Sequence, residues 1–393
     1  MLKPRSLTAH APGLDRKVLR AIADRRGSWA RTTTELARVA SEHYEREYLH
    51  WVGDPEDALC RALRSLLKSE DSLVAVPAWG RSSIGEAAKR HFSNILWMDP
   101  REGRLDPGES EIKQALDQGA QGILVAPVAG DCSALPAAQS WCDKSGVSLA
   151  VDARASMGSR TPEGGPAAFG HLVLLPVDGD PGPSVCPGAF LGTQEVMSNG
   201  VPLNSPGTAQ VLRQAVSALA SSFRDEPRLQ RLRALPADET LAPVATTESA
   251  PPGWACAAAH ARLDEADLRA SQRGRHARSL RDHCGNLPAV ILVNESHGCP
   301  VTGAAFPLLA QSARQVADFL RQEGVPTVPG LGDWLAPEGD RTERAQQLAD
   351  RALLLPLHPY FRPRDLRWLG EAVRRATLRA NGTGQADPTH STL

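Results

Sequence analysis

The sequence predicts an α/β protein with a large, mostly parallel sheet and a smaller C-terminal α/β domain. Between residues 73 and 151, short apolar segments alternate with amphipathic helical segments, a pattern typical of a parallel sheet that helices cover on both faces. After a proline-rich stretch, a second series of strands and helices runs from residue 289 to residue 377. The chain has 393 residues and 41% hydrophobic composition, which is sufficient to bury a large core.

The N-terminal segment is expected to be helical. Residues 14–48 carry two helical patterns, which Gly27-Ser28-Trp29 separates. A third helix is expected to begin at Asp54, because aspartate is a favoured N-cap and Pro55 suits the first turn of a helix.

The large sheet is predicted from apolar segments between residues 73 and 193. Strands are expected at 73–76, 94–98, 122–126 and 147–151, with helices at 82–91, 109–116 and 135–144 between them, and further strands follow within 169–176 and at 189–193. Folds of this kind place their chemistry at the carboxyl ends of the strands. We therefore expect Asp152, Arg154, Asp178 and Asp180 to lie near one another.

The C-terminal half is expected to begin with a long helix at 199–224 and an irregular segment, before a helix from 254 to 283. The small domain is expected to contain strands at 289–293, 304–309, 326–328 and 352–355, and helices at 312–323, 342–350 and 363–377. The predicted domains are an N-terminal arm (1–50), a large α/β domain (51–225), an irregular segment with a linker helix (226–285), a small α/β domain (286–380) and a disordered tail (381–393).

Composition limits the classes of partner. The net charge is -1, from 44 basic and 45 acidic residues, which gives no support for a nucleic-acid or membrane partner. Seven cysteines without a Cys-x-x-Cys pair favour the reducing cytoplasm. The N-terminus lacks the apolar core of a signal peptide, and no stretch approaches membrane-spanning length, so we expect a cytoplasmic protein.

Two motifs resemble those of a known family. Residues 151–158 (Val-Asp-Ala-Arg-Ala-Ser-Met-Gly) are similar to the Glu-Asp-Ala-Ala-Gln-Ala-His-Gly motif of the DegT/DnrJ/EryC1/StrS sugar aminotransferases, which are fold-type I pyridoxal phosphate (PLP) enzymes. Residues 355–359 resemble the family's closing Leu-Pro-Leu-His-Pro motif. The resemblance spans roughly residues 36–375 and implies a seven-stranded-type sheet. It also implies that Asp152 faces the pyridine nitrogen of the cofactor, so that the ring can accept electrons.

The resemblance fails at the lysine that forms the Schiff base. About twenty residues after its aspartate, the family carries Ser-Phe-aromatic-Pro-Thr-Lys, whereas the matching run here, 173–178, ends in Asp178. No other register restores the lysine, because no lysine follows Lys144 in the chain. A carboxylate cannot form the covalent bond that an amine forms with a carbonyl cofactor.

Two further elements of the family are replaced. Val52-Gly53-Asp54-Pro55 stands where the family's Ser-Gly-Thr holds the cofactor phosphate, and its proline and neighbouring acids disfavour a dianion. Residues 249–253 (Ser-Ala-Pro-Pro-Gly) replace the family's Asn-Tyr-Arg loop. Trp79 and Arg81 lie near the position of the aromatic residue that stacks on the pyridine ring; Trp79 could instead simply cover the strand end.

Other candidate sites have weaker support. Asp152, Asp178 and Arg154 could perform acid–base catalysis, or could satisfy one another in a polar cavity that the cofactor has left, which is the alternative we favour. Cys186 could be a nucleophile or a buried apolar residue. We expect no metal site at His283-Cys284 and His297-x-Cys299, since their spacing is not that of a zinc knuckle, and we expect His358 to be structural.

Three hypotheses for function remain. The first is a PLP-independent, non-aminating partner or regulatory subunit in amino-sugar or natural-product biosynthesis, in a homodimer or in a heterodimer with an active paralogue. The second is an enzyme that uses the old cofactor pocket for cofactor-independent chemistry on a small molecule. The third, and weakest, is noncovalent use of PLP or its amine form, pyridoxamine phosphate (PMP). The sequence leaves open whether the chain is a catalyst.

Overall fold

The computed structural model describes residues 32–127, 130–179, 188–194, 253–285, 305–325 and 342–357, and also 287, 290–292, 327–329, 340, 359 and 361–383. The predicted helix at 199–224 and the irregular segment that follows lie outside the described residues. So do the candidate residues Asp180, Cys186, His297, Cys299 and His358.

The large domain is built on a seven-stranded sheet with strand order β1-β7-β6-β5-β4-β2-β3. The neighbours within β6-β5-β4-β2-β3 pair in parallel, whereas β7 runs antiparallel to both β6 and β1. The predicted α/β fold with a mostly parallel sheet is confirmed. The strands are β1 (Tyr48–Val52), β2 (Leu73–Pro77), β3 (Asn94–Met98), β4 (Gly122–Val125), β5 (Ser148–Asp152), β6 (Leu172–Pro176) and β7 (Ala189–Thr193).

Helices cover both faces of this sheet. Side chains alternate along a strand, so Leu149 and Val151 of β5 join the core on one face while Ala150 joins the core on the other. Burying a leucine of this kind contributes about 2 kcal/mol. The helices of the first half are α1 (Thr32–Tyr44), α2 (Pro55–Leu66), α3 (Ser82–His91), α4 (Glu109–Asp117) and α5 (Leu135–Ser145).

Two helix ends bear on the site described below. The expected start of α2 is confirmed, because the Asp54 side chain accepts a hydrogen bond from the Asp57 N–H at 3.2 Å and Pro55 occupies the first position. The single helix expected from 254 to 283 is instead two helices, α6 (Gly253–Leu263) and α7 (Ala266–Cys284). The break brings the end of α6 and the start of α7 against the turn after β6, where a Cβ atom on Gly179 would lie 2.5 Å from the Cβ atom of Ala266.

The C-terminal domain contains a four-stranded antiparallel sheet with strand order β10-β11-β9-β8. Its strands are β8 (Val290–Leu292), β9 (Ala305–Ala310), β10 (Val328–Pro329) and β11 (Ala352–Pro356), and its helices are α8 (Ala313–Gln322), α9 (Glu343–Arg351) and α10 (Pro363–Thr383). The tail predicted to be disordered from residue 381 is wrong for residues 381–383, because α10 continues through them.

The two domains share an apolar contact. Trp79 and Leu105 of the large domain pack with Leu309, Leu348 and Leu354 of the small domain. Thr342 donates a hydrogen bond to Asp99 across the same boundary, and Lys89 pairs with Asp340. Across the part of the chain that the structure describes, no helix has both the length and the apolar character needed to cross a bilayer.

Candidate functional site

Four charged side chains meet at the carboxyl ends of β2 and β5. We call Glu56, Arg81, Asp152 and Arg154 the acid–arginine cluster. Glu56 lies in the first turn of α2, Arg81 precedes α3, Asp152 ends β5, and Arg154 lies in the short 3₁₀ turn that follows β5. The cluster therefore forms where parallel strands end and helices begin, which is the usual position of a site in such a sheet.

Arg154 is the centre of this cluster. Its Nε donates to Asp152 Oδ1 at 2.8 Å, and its Nη2 donates to Asp152 Oδ2 and to Glu56 Oε1, each at 2.7 Å. The Arg154 backbone N–H also donates to Asp152 Oδ1 at 3.2 Å, and Ser83 Oγ donates to Glu56 Oε1 at 3.1 Å. Two-point pairing between a guanidinium and a carboxylate is the strongest form of charge-assisted hydrogen bond. Both oxygens of Asp152 are occupied by this chain's own donors.

Burial and charge act in opposite directions on the acids. Burial alone would raise the pKa of Asp152, but the positive charge and hydrogen bonds of Arg154 outweigh it and hold that pKa below its usual value. The pKa of Glu56 is lowered in the same way, again against the effect of burial. Both carboxyls are therefore ionised at neutral pH. Burial lowers the pKa of Arg81, and the like charge of Arg154 adds to this effect.

A second buried ion pair follows the adjacent strand. Asp178, two residues after β6, is 0% exposed, and its Oδ2 accepts a hydrogen bond from Arg262 Nη1 of α6 at 2.7 Å. Arg269 of α7 donates to the backbone carbonyl of Asp178 at 3.4 Å and to that of Arg262 at 2.5 Å. The Tyr44 hydroxyl donates to the Pro176 carbonyl at 2.5 Å. Side chains of α1, α6 and α7 thus form hydrogen bonds with residues 176 and 178, and the resemblance assigns position 178 to the Schiff-base lysine.

The described lysines lie elsewhere. Lys68 follows α2, Lys89 is in α3, Lys113 is in α4 and Lys144 is in α5, and all four are exposed at the surface. The other two lysines of the chain precede the described residues. Among the described residues, therefore, no lysine amine reaches the ends of β5 and β6.

The start of α2 does not fit a phosphate dianion. Pro55 supplies no N–H, and the Asp57 N–H is already bonded to the Asp54 carboxylate. Glu56 and Asp57 place two more negative charges in the first turn, where they pair with Arg154 and with His91 at 2.7 and 2.8 Å. A helix end binds phosphate through its free N–H groups and its positive potential, and this end retains little of either.

The residues proposed to stack on a cofactor occupy different environments. Trp79 is 1% exposed and packs between the two domains, so its surroundings match the structural alternative in which it covers the end of β2. Arg81 is partly buried beside the acid–arginine cluster. The structure thus brings Arg81 together with Asp152 and Arg154, and pairs Asp178 with Arg262.

Two partners of these residues were missed by the sequence reasoning. From the sequence, Glu56 is predicted only as one of the acids beside Pro55, and Arg262 only as part of the helix expected from 254 to 283. The sequence signal for Glu56 is the concentration of acids where a phosphate-binding turn is expected. An acid that becomes buried at such a position needs a cation nearby, so this group of acids indicates a basic partner. Arg262 lies 84 residues from Asp178, and no pattern in the sequence around Arg262 indicates that the two residues pair.

The remaining candidates show no second site among the described residues. His283 is exposed while Cys284 is buried, and no three metal-binding side chains come together in the described ranges. The described cysteines, which are Cys60, Cys132, Cys142, Cys256 and Cys284, are all buried.

Comparisons with known proteins agree with this architecture. A family model described as the DegT/DnrJ/EryC1/StrS aminotransferase family matches residues 16–171. A search of curated protein sequences finds no match.

Among solved structures, a DegT DnrJ EryC1 StrS aminotransferase from Brucella abortus is 16% identical with a TM-score of 0.69, over 92% of this chain and 95% of that one. The PMP form of the putative sugar aminotransferase Spr1654 from Streptococcus pneumoniae is 11% identical with a TM-score of 0.72, over 97% and 100%. An E. coli GDP-4-keto-6-deoxy-D-mannose-3-dehydratase with bound hydrated PLP is 14% identical with a TM-score of 0.68, over 93% and 99%. At these identities the similarity establishes the fold, and the fold-type I aminotransferase-like architecture is confirmed.

Proposed function

We propose that this chain is a non-aminating homologue of the DegT/DnrJ/EryC1/StrS aminotransferases and that it forms no Schiff base with PLP. One observation carries the proposal. At the position that the resemblance assigns to the lysine, Asp178 is fully buried and paired with Arg262. A carboxylate held in this way offers neither an amine nor room for one.

The surroundings support the same proposal. The start of α2 has lost the features that hold a phosphate, and the four described lysines are exposed on other parts of the surface. Substitution of the lysine alone would leave a pocket that still matched the cofactor. Here the phosphate position and the ring position have changed together, which supports a chain that works without PLP.

We propose that the chain acts as a partner or regulatory subunit of an active aminotransferase in amino-sugar or natural-product biosynthesis. The resembled family builds its sites across a dimer, so a homologue that keeps the fold can keep the contact surface after losing its chemistry. Cys60, Cys142 and Cys284 are buried free thiols, which is consistent with a reducing, cytoplasmic setting.

Acid–base catalysis in the old pocket has less support. A general base works best with a pKa near the operating pH, yet the pKa values of Asp152 and Glu56 are lowered and both carboxylates are engaged by Arg154. A neighbouring structure favours a different candidate, the noncovalent use of PLP: the E. coli protein is named a dehydratase and holds hydrated PLP, so this fold is not limited to amine transfer.

The test begins with the wild-type chain alone. It is mixed with PLP, dialysed so that PLP bound reversibly to surface amines is removed, reduced with borohydride and weighed intact, beside an active family member as positive control. We expect no added mass and no shifted absorbance band that survives dialysis. A retained, reduced PLP adduct on any side chain would overturn the proposal.

The partner role needs a separate measurement. The chain is co-expressed with an aminotransferase encoded beside it, and the complex is examined by native mass spectrometry and by the partner's amine-transfer rate with and without this chain. We expect a heteromer whose activity depends on both chains. If the two proteins remain separate and the rate is unchanged, the partner role is wrong, and turnover of an amine-free sugar substrate by the chain alone would favour the repurposed enzyme.

A further inference from the structure

We propose that the guanidinium of Arg154 permanently takes the place of the cofactor ring cation on Asp152, so that the pocket is closed by the chain itself. This inference rests on the proposed function and adds to it the identity of the group that replaces the cofactor. It concerns noncovalent binding of PLP or PMP, which loss of a lysine does not prevent.

The geometry is that of an internal ligand. A protonated pyridine ring offers one N–H to a carboxylate, whereas Arg154 offers two side-chain N–H groups to the two oxygens of Asp152, at 2.8 and 2.7 Å. The backbone N–H of Arg154 fills a further acceptor site on Oδ1. Since Arg154 is only two residues from Asp152, ordering the pair costs little chain entropy, and an external ring cannot match this advantage.

The charges of the cluster balance. Two carboxylates, Glu56 and Asp152, lie among two guanidinium groups, Arg81 and Arg154, and Arg154 joins both acids directly. Both Asp152 and Arg154 are no more than 9% exposed. A pyridinium would have to displace a bidentate pair inside a poorly solvated site and would leave Arg154 with Glu56 as its remaining acid partner in the cluster. Breaking such a buried pair is strongly unfavourable.

Because Arg154 neutralises Asp152, the pocket can remain folded without a bound cofactor. In the resembled family, the acid at the end of this strand faces the ring of the cofactor. In this chain, the same acid is neutralised at all times by a residue of its own loop. The pocket needs no small molecule to be electrostatically satisfied, which suits a chain that contributes surface rather than chemistry.

The test uses pyridoxine, which carries the ring but neither the aldehyde nor the phosphate. Binding is measured by calorimetry and by the thermal midpoint for the wild type and for Arg154→Ala. We expect Arg154→Ala to bind pyridoxine at least about tenfold more tightly than the wild type, a difference of about 1.4 kcal/mol. Equal or weaker binding by Arg154→Ala would overturn the inference.

Two control variants separate this effect from simple cavity formation. Arg46 has the same exposure as Arg154, but it donates to the backbone carbonyls of Ala167, Phe169 and Gly170 at 2.7, 3.0 and 3.0 Å, not to an acid. Arg46→Ala should gain no affinity for pyridoxine. The double variant Asp152→Asn/Arg154→Ala should lose the gained affinity, because the acceptor of the ring N–H is gone. If either variant binds as well as Arg154→Ala, the inference is wrong.

If Arg154→Ala does not fold alone, refolding provides the second measurement. Recovery of folded protein in the presence of pyridoxine, but not of a benzene analogue without the ring nitrogen, supports the inference; equal recovery in both, or in neither, overturns it. These outcomes are distinct from failure of the proposed function, which would appear as a reduced PLP adduct on the wild-type chain.

Discussion

The buried pair between Asp178 and Arg262 gives the sharpest prediction about stability. The two side chains are 0% and 3% exposed, and their charged atoms lie 2.7 Å apart. At an effective dielectric constant of about 20, that distance corresponds to an attraction of about 6 kcal/mol. Desolvation of the two ions costs several kcal/mol each, so the pair as a whole contributes little net stability. Removal of one partner is different, because it leaves the other charge buried.

Arg262→Met should therefore lower the free energy of unfolding by about 3–5 kcal/mol. The double variant Asp178→Val/Arg262→Met removes both charges and should recover most of this loss. The matched control is Arg38→Met, which breaks an exposed pair with Glu42 whose side chains are 63% and 65% exposed, and which should cost no more than about 0.5 kcal/mol.

Urea unfolding, followed by tryptophan fluorescence and by circular dichroism, measures these differences. Coincident transitions by the two probes would justify comparing free energies between variants. The reasoning is refuted if Arg262→Met is no more destabilising than Arg38→Met, or if the double variant is as unstable as Arg262→Met alone.

Three further predictions concern chemistry and pH. The variant Asp178→Lys/Arg262→Glu places a lysine at position 178 and keeps an opposite charge beside it. It should still gain no borohydride-trapped PLP, because the start of α2 and Arg154 are unchanged. An added mass on this variant would contradict the prediction. In the folded protein, the pKa values of Asp152 and Glu56 are lower than their unfolded values of about 3.9 and 4.3. The stability that the two ionised carboxylates contribute is therefore complete above these unfolded values, and it is lost as the pH falls through the folded pKa values. The difference in the free energy of unfolding between the wild type and Arg154→Gln, measured in urea, should accordingly be constant from about pH 7 to 5 and should become smaller below about pH 4. A difference that grows as the pH falls would contradict the claim that Arg154 stabilises the ionised acids of the cluster. Burial raises the pKa of the thiols of Cys60, Cys142 and Cys284 to about 12. At pH 8, iodoacetamide should therefore modify these cysteines at least about 100-fold more slowly in native than in unfolded protein. Peptide mass mapping measures the two rates, and equal rates would refute the burial.

Hydrophobic pattern was enough to place most elements. The strands at 94–98 and 189–193 and the helix at 82–91 have the bounds that the sequence predicted, because each is a short periodic segment with clear ends. Strand β1 was missed because it is a half-exposed strand at the edge of the sheet, inside a segment with helical character at its start. Its pairing with β7 joins residues more than a hundred positions apart, which local pattern cannot indicate.

The site was predicted only as far as local motifs reach. Asp152 and Arg154 are neighbours in sequence, so their proximity could be expected from the motif alone. Glu56 is 98 residues from Arg154, and only the fold brings it there. For Trp79 the sequence could not decide between stacking on a ligand and covering a strand end, because the answer depended on packing by the C-terminal domain.

A crystal structure of the wild-type chain grown with excess PLP tests the central claim most directly. We expect the Arg154 guanidinium to remain on Asp152 and the Asp178–Arg262 pair to remain intact, with no cofactor density joined to the chain. Continuous density between the cofactor's aldehyde carbon and a side-chain nitrogen, or a pyridine ring seated on Asp152 with Arg154 displaced, would contradict the account.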